Sequence, residues 1–168
     1  MCIRDRLTSV EQAGRTALTE MRHLLAAMRT EGDDLELTPQ RGLDGLDALL
    51  EEIGRAGLPV QLHIDGDPVA LPRAIDLSAY RIVQEGLTNA LRHARATDAD
   101  VTVRYRPDEV QIEVRDNGHG GTTSTGLGHG LLGVRERVKI FGGEMSAGTT
   151  NGSGFTLSTR LPLRDERR

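Results

Sequence analysis

Apolar residues recur along this chain with two periods, and each switch between them marks an element. Val10, Ala13, Ala17, Met21, Leu24, Leu25 and Met28 keep the three-to-four-residue spacing of an amphipathic helix. Thr8 with Glu11, or Ser9 with Gln12, supplies a capping-box start. The pattern predicts a helix over residues 8–29. Residues 31–40 are acidic, lack periodicity and contain Pro39, as a linker does. Leu43, Leu46, Leu50 and Ile53 make a second helical stripe, stopped by Gly57. The period then falls to two. Val60, Leu62 and Ile64 share one face, with Gln61 and His63 on the other, which predicts a half-buried strand ending at the turn Asp65-Gly66-Asp67-Pro68.

Pro72 suits the first turn of a third helix. That helix carries Ile75, Ala79, Ile82, Val83, Leu87, Ala90 and Leu91 and runs to about Ala94. Val101, Val103 and Tyr105 alternate, as do Val110, Ile112 and Val114, and Pro107-Asp108-Glu109 joins them as a hairpin. Residues 131–141 read as a short helix ended by Gly142-Gly143. Strands over 144–149 and 155–163 flank an Asn151-Gly152 turn, and 164–168 form a charged tail. From residue 41 the order is helix, strand, helix, hairpin, helix, hairpin. The expected class is α+β: a two-layer sandwich with a mixed, mainly antiparallel sheet covered by helices on one face, preceded by one long helix.

Composition narrows the picture. Aromatic residues are 2% of the 168 and Trp is absent, so the core must be aliphatic. The net charge of −4 and scattered arginines argue against a nucleic-acid binder, which carries a basic stripe. The lone cysteine, Cys2, allows no internal disulfide, and no apolar run approaches the roughly 20 residues of a membrane helix. The cysteine usage is compatible with a reducing cytoplasm and no signal-peptide pattern is present, so this domain is expected in the cytoplasm, whether the intact parent is itself cytoplasmic or membrane-anchored. Residues 1–6 read as a non-native adapter scar or a disordered start, with native sequence from near Leu7.

Candidate chemistry sits in three places. On the long helix, Glu85, Asn89 and His93 are four apart and line one face, with Arg92 beside them. An acid, an amide, a cation and an imidazole in one row make a poor core but suit Mg²⁺ with phosphates, since Mg²⁺ takes few protein oxygens. A solvated helix face would look the same. The second place is Asp116-Asn117-Gly118-His119-Gly120, directly after a strand. Asp116 can accept a hydrogen bond from an exocyclic amine, and Gly118 and Gly120 let a flat base lie on bare backbone, although the triplet is also good turn chemistry. The third is Gly126-Leu127-Gly128-His129-Gly130-Leu131-Leu132-Gly133. It contains a literal G-x-G-x-x-G but follows a polar stretch and no strand, which disfavours a dinucleotide fold. Glycines entering a helix still suit phosphate, and no P-loop is present.

These three elements, in this order, resemble the nucleotide boxes of the family that unites gyrase, Hsp90, histidine kinases and MutL. The phrases at 80–94, 116–120, 128–137 and 152–162 resemble the catalytic domain of sensor histidine kinases of the nitrate-sensor and desaturase-thermosensor type. The resemblance covers roughly residues 10–163. It implies a Bergerat-type ATP-binding domain over 41–163 that uses ATP and Mg²⁺. It implies that Asn89 ligates Mg²⁺, that Glu85 polarises the metal-bound water or assists proton transfer, and that Arg92 and His93 contact phosphate oxygens. Asp116 would bind the adenine amine over Gly118 and Gly120. Residues 122–130 would form a lid, with Gly128, Gly130, Leu131 and Gly133 around the phosphates, and Gly152 and Gly154 would close the far side of the base pocket. Phe155 departs from the family, many of whose members place a small hydroxyl residue there.

Residues 7–30 resemble the second helix of the family's dimerisation and phosphotransfer hairpin. Its first helix carries a His followed by an acid, and none of the five histidines here is followed by one. The resemblance therefore implies a kinase catalytic domain without its phosphoacceptor. The intact parent would be a homodimer through the hairpin, passing phosphate to a response-regulator receiver domain. The rival readings are a catalytically inactive ATP-binding signalling module and an anti-sigma-factor-type serine kinase.

Overall fold

Alternate β-branched residues build the centre of the molecule. Val101 and Val103 on one strand face Val114 and Ile112 on the next, and all four are essentially buried. The structure, a computed structural model, describes residues 41–118, 129–149 and 154–163, without the side chains of His93 and His129. The helix expected over 8–29, the linker and positions 120, 128 and 152 lie outside those residues.

The first helix, α1 (Leu46–Arg55), is preceded by a 3₁₀ turn, Leu43–Gly45. Strand β1 (Val60–Asp65) follows, then α2 (Arg73–Asn89), which passes into a π turn at Ala90–Ala94. Next come β2 (Ala99–Tyr105), β3 (Glu109–Asp116), α3 (His129–Ile140), β4 (Glu144–Thr149) and β5 (Phe155–Pro162). The five strands lie in the order β1-β2-β3-β5-β4. Only β1 and β2 run parallel, as the crossover through α2 requires; the other pairs are antiparallel. The expected mixed sheet is therefore present.

Its two faces differ sharply. Val101, Val103, Val110, Ile112, Val114, Leu157 and Leu161 join residues of all three helices in one aliphatic core. On the opposite face, Asp65, Arg104, Gln111, Arg160 and Glu144 stand in register across all five strands. Ion pairs cross-link that row, including Arg160 to Glu144 at 2.8 Å, Arg104 to Glu113 at 3.3 Å and Arg106 to Asp65 at 2.9 Å. No side chain on that face could enter a second core, so the helices stay on one side.

Several details depart from the periodic reading. Ile64 is 47% exposed: β1 is an edge strand with β2 as its single neighbour, and burial fades after Leu62. Pro72 is the cap residue of α2, with extended ψ, and its carbonyl accepts from Ile75 and Asp76. In α1 the buried residues are Leu46, Leu49 and Ile53, and Leu50 sits at the edge of the stripe. Gly57 ends α1 as expected, at φ +105°, with Leu58 N donating to Ile53 O and Gly57 N donating to Gly54 O.

The 3₁₀ turn that leads into α1 is capped from a distance. No local side chain caps it; Asp76 in α2 accepts from Leu43 N at 2.9 Å, and Gly42 packs so closely that a Cβ would strike that carboxylate. The same charge, after burial, helps raise the Tyr105 phenol above its ordinary value. Asp76→Ala is expected to destabilise the fold by about 1 kcal/mol in denaturant titration and to lower the pH at which Tyr105 ionises, read by ultraviolet absorbance. Because the folded phenol titrates above the unfolded one, its contribution to stability is complete below the unfolded value. It is lost as pH rises through the folded one.

Candidate functional site

Close packing between α2 and β3 sets the site's position. Gly86 lies against Val114, where an added Cβ would sit 3.0 Å from three side-chain atoms. This lets the helix run low across the sheet, so its C-terminal end arrives beside the end of β3. There the helix loosens into the π turn and terminates at Arg95, whose backbone is left-handed at φ 49° and ψ 35°. π turns and non-glycine left-handed residues both carry a cost and concentrate at functional sites.

Three segments distant in sequence meet at this end. Asp116 closes β3 and is 6% exposed, and its Oδ1 accepts from Gly118 N at 2.8 Å. Its Oδ2 is bound to no other described residue. Gly118 sits so close to the π turn that a Cβ would collide with the carbonyl oxygen of Ala94. Gly154, at φ +90°, lies against the Asp116 carbonyl, and its N–H donates to Gly118 O at 2.6 Å. Phe155 pairs in register with Asp116 and packs on the core, an apolar wall beside the carboxylate. A buried carboxylate thus stands among bare backbone from two loops, an arrangement suited to a flat, polar-edged group.

A second cluster lies along α2. Asn89 Nδ2 is buried and finds no hydrogen-bond partner among the described residues, an uncommon state that calls for a ligand or water. Glu85, one turn earlier, is half-buried, and its carboxylate presses on Gly130 in the first turn of α3, where a Cβ would overlap Glu85 Oε1. Arg92 is exposed in the π turn. An α-helix completes a turn in about 3.6 residues, so positions four apart drift around it. Residue 93 follows in the wider π turn, whose larger ring turns less per residue and so offsets that drift.

The expected residues divide accordingly. Asp116, Gly118 and Gly154 come together; Glu85 and Gly130 touch; Asn89 lies one turn after Glu85, directly before the π turn. Gly130, Leu131 and Gly133 belong to α3, which starts two residues earlier than its apolar pattern predicts, and among the described residues none would contact a Cβ at Gly133. Gly120, Gly128 and Gly152 lie outside the described residues. Two features carried no sequence signal: the π turn, and the hydrogen bonds of Asn117 to Thr97 and Asp98.

A sequence profile described as histidine kinase-, DNA gyrase B-, and HSP90-like ATPase matches residues 75–165. The sensor histidine kinases LnrJ and LiaS of Bacillus subtilis (strain 168) are 28% and 29% identical to this chain, each match taking in 94% of it. The chain spans 38% and 43% of the length of those two relatives. Among solved structures, the histidine kinase domain of the Erythrobacter litoralis EL346 blue-light activated histidine kinase superposes with a TM-score of 0.56 at 26% identity. That superposition covers 70% of this chain and 57% of the other.

Two substitutions test the backbone geometry. Gly154→Ala is expected to cost about 1–3 kcal/mol, because it adds a strained positive φ and a clash with the Asp116 carbonyl. Arg95→Gly is expected to be neutral or to stabilise by up to about 1 kcal/mol, since glycine removes the left-handed strain but adds chain entropy. Thermal and denaturant unfolding measure both.

Proposed function

The chain belongs to the histidine kinase-, DNA gyrase B-, and HSP90-like ATPase family, and we propose that it is the ATP-binding catalytic domain of a sensor histidine kinase. In this reading it donates the γ-phosphoryl group of ATP to a histidine on a helical hairpin outside the present sequence. The observation that carries the reading is Asp116: a buried carboxylate with one oxygen held by Gly118 and the other bound to no described residue, set among the backbones of Gly118 and Gly154. Such a carboxylate recognises an exocyclic amine, and bare glycine backbone accepts the flat face of a purine.

The residues along α2 fit the triphosphate and its metal. Asn89 has a buried Nδ2 with no partner among the described residues, which suits donation to a phosphate oxygen; its carboxamide oxygen is the kind of ligand Mg²⁺ takes. Bound Mg²⁺ would supply charge neutralisation at the phosphate oxygens. Asn89 would hold the metal, Glu85 would orient a water or take up a proton, and Arg92 and His93 would contact phosphate. Gly128, Gly130, Leu131 and Gly133 would border the phosphates at the start of α3, and Gly120 and Gly152 would complete the base pocket. With no covalent step on the protein side of this domain, its contribution is positioning and electrostatics.

The parent would dimerise through the hairpin and pass phosphate to an aspartate of a response-regulator receiver domain, with this domain in the cytoplasm. Incubation with radiolabelled ATP is expected to show binding to this chain and no acid-labile label on it. Addition of a hairpin bearing a His followed by an acid, from a related kinase, should produce labelled histidine. Asn89→Ala should lower that transfer by about a hundredfold or more, and chelation of Mg²⁺ should abolish it. ATP binding with no transfer to any hairpin would instead indicate a non-catalytic module.

A further inference from the structure

We propose that Asn117 is a positioning residue for the base end of the nucleotide site; the inference rests on the ATP-binding reading above. Asn117 is exposed and contributes nothing to the core. Its carboxamide is nevertheless fully engaged. Oδ1 accepts from Thr97 N at 2.9 Å and from Asp98 N at 3.1 Å. Nδ2 donates to Thr97 Oγ1 at 2.9 Å and to Asp98 Oδ2 at 3.3 Å, and the backbone N–H donates to Asp98 O at 3.3 Å. Thr97 Oγ1 in turn donates to Asp98 Oδ2 at 3.1 Å, closing the network.

The position of this network gives it its meaning. It ties the short link between the π turn and β2 to the end of β3. On one side stands Ala94, the last residue of the π turn; on the other stand Asp116 and Gly118. The contact between Gly118 and Ala94 is closer than any side chain would allow, so the seam depends on both backbones being held. The link has no regular structure of its own and begins with a left-handed arginine. Asparagine is suited to the task because it presents two acceptor and two donor positions at once. Aspartate retains the acceptors for the two amides but loses both donors, and it places a second negative charge against Asp98. Asn117 therefore acts on the base through Gly118 and Asp116, and it does not touch the phosphate-binding row on α2.

Calorimetric titration of the full chain with ADP and with ATP, each with and without Mg²⁺, tests this at a temperature where circular dichroism shows every variant folded. Asn117→Ala is expected to weaken ADP and ATP by the same factor, about tenfold, leaving the Mg²⁺-dependent gain of ATP over ADP unchanged. Asn117→Asp should lose at least as much, and adding Asp98→Asn should recover most of it by returning a donor to the network. A purely structural role would lower the unfolding temperature and leave the affinity of the folded protein unchanged, which overturns the proposal. So does a loss confined to ATP and Mg²⁺, or a folded double variant that does not recover. If Asn117→Ala does not fold, the double variant decides: folded with nucleotide bound supports the role, and folded without binding refutes it. A parent chain that binds neither ADP nor ATP refutes the ATP-binding reading itself, whereas a parent that binds alongside an equally tight Asn117→Ala refutes this inference alone.

Discussion

Two backbone contacts organise this molecule: Gly118 against the Ala94 carbonyl, and Gly154 against the Asp116 carbonyl. Neither tolerates a Cβ without movement. Together they bring the end of α2, the end of β3 and the start of β5 to one place, and the 2.6 Å hydrogen bond from Gly154 to Gly118 closes the gap between the last two. Asp116 is the polar consequence of that geometry. It occupies a core-facing position of β3, following Val110, Ile112 and Val114 in the alternation, yet carries a charge. A buried carboxylate at the end of a hydrophobic row is costly unless something pairs with it, and the Gly118 amide supplies one partner within the protein. Its second oxygen has no partner among the described residues, which is where the proposed reading places an exocyclic amine.

Much of the sheet was legible because its chemistry is periodic. Val101 with Val114 and Val103 with Ile112 are buried pairs across the hairpin, and Val110 faces the half-buried Tyr105; strict alternation is a sufficient signal for that. Ile64 shows the limit of the rule: alternation marks a face but does not say whether anything covers it, and an edge strand leaves its end bare. The capping of the 3₁₀ turn before α1 by Asp76 was illegible for a different reason. Its partner, Leu43, is 33 residues away, so no local pattern records the bond.

The candidate site was legible in kind and not in cause. Asp116, Gly118, Gly154, Glu85 and Asn89 could be chosen from residue type and order. Why Gly118 must be glycine follows only from the position of Ala94, and why Gly154 must be follows from its φ and from Asp116. Asn117 looked like ordinary turn chemistry because its partners belong to another loop. The polar face of the sheet is a counterpart to this site. Its polar row spans every strand, so apolar surface is gathered on the helical side, where the candidate site residues also lie.

The π turn at Ala90–Ala94 has an implication for how this segment can vary. A π turn differs from an α turn by one additional residue closed within the same ring of hydrogen bonds. Removing any single residue there would let the helix regain its ordinary pitch at little local cost. It would also retract Ala94 from Gly118 and shift the link that follows out of step with β3. The number of residues between Asn89 and β2 is therefore constrained by this geometry, and insertions or deletions in this stretch should be tolerated far less than substitutions at the exposed Arg95.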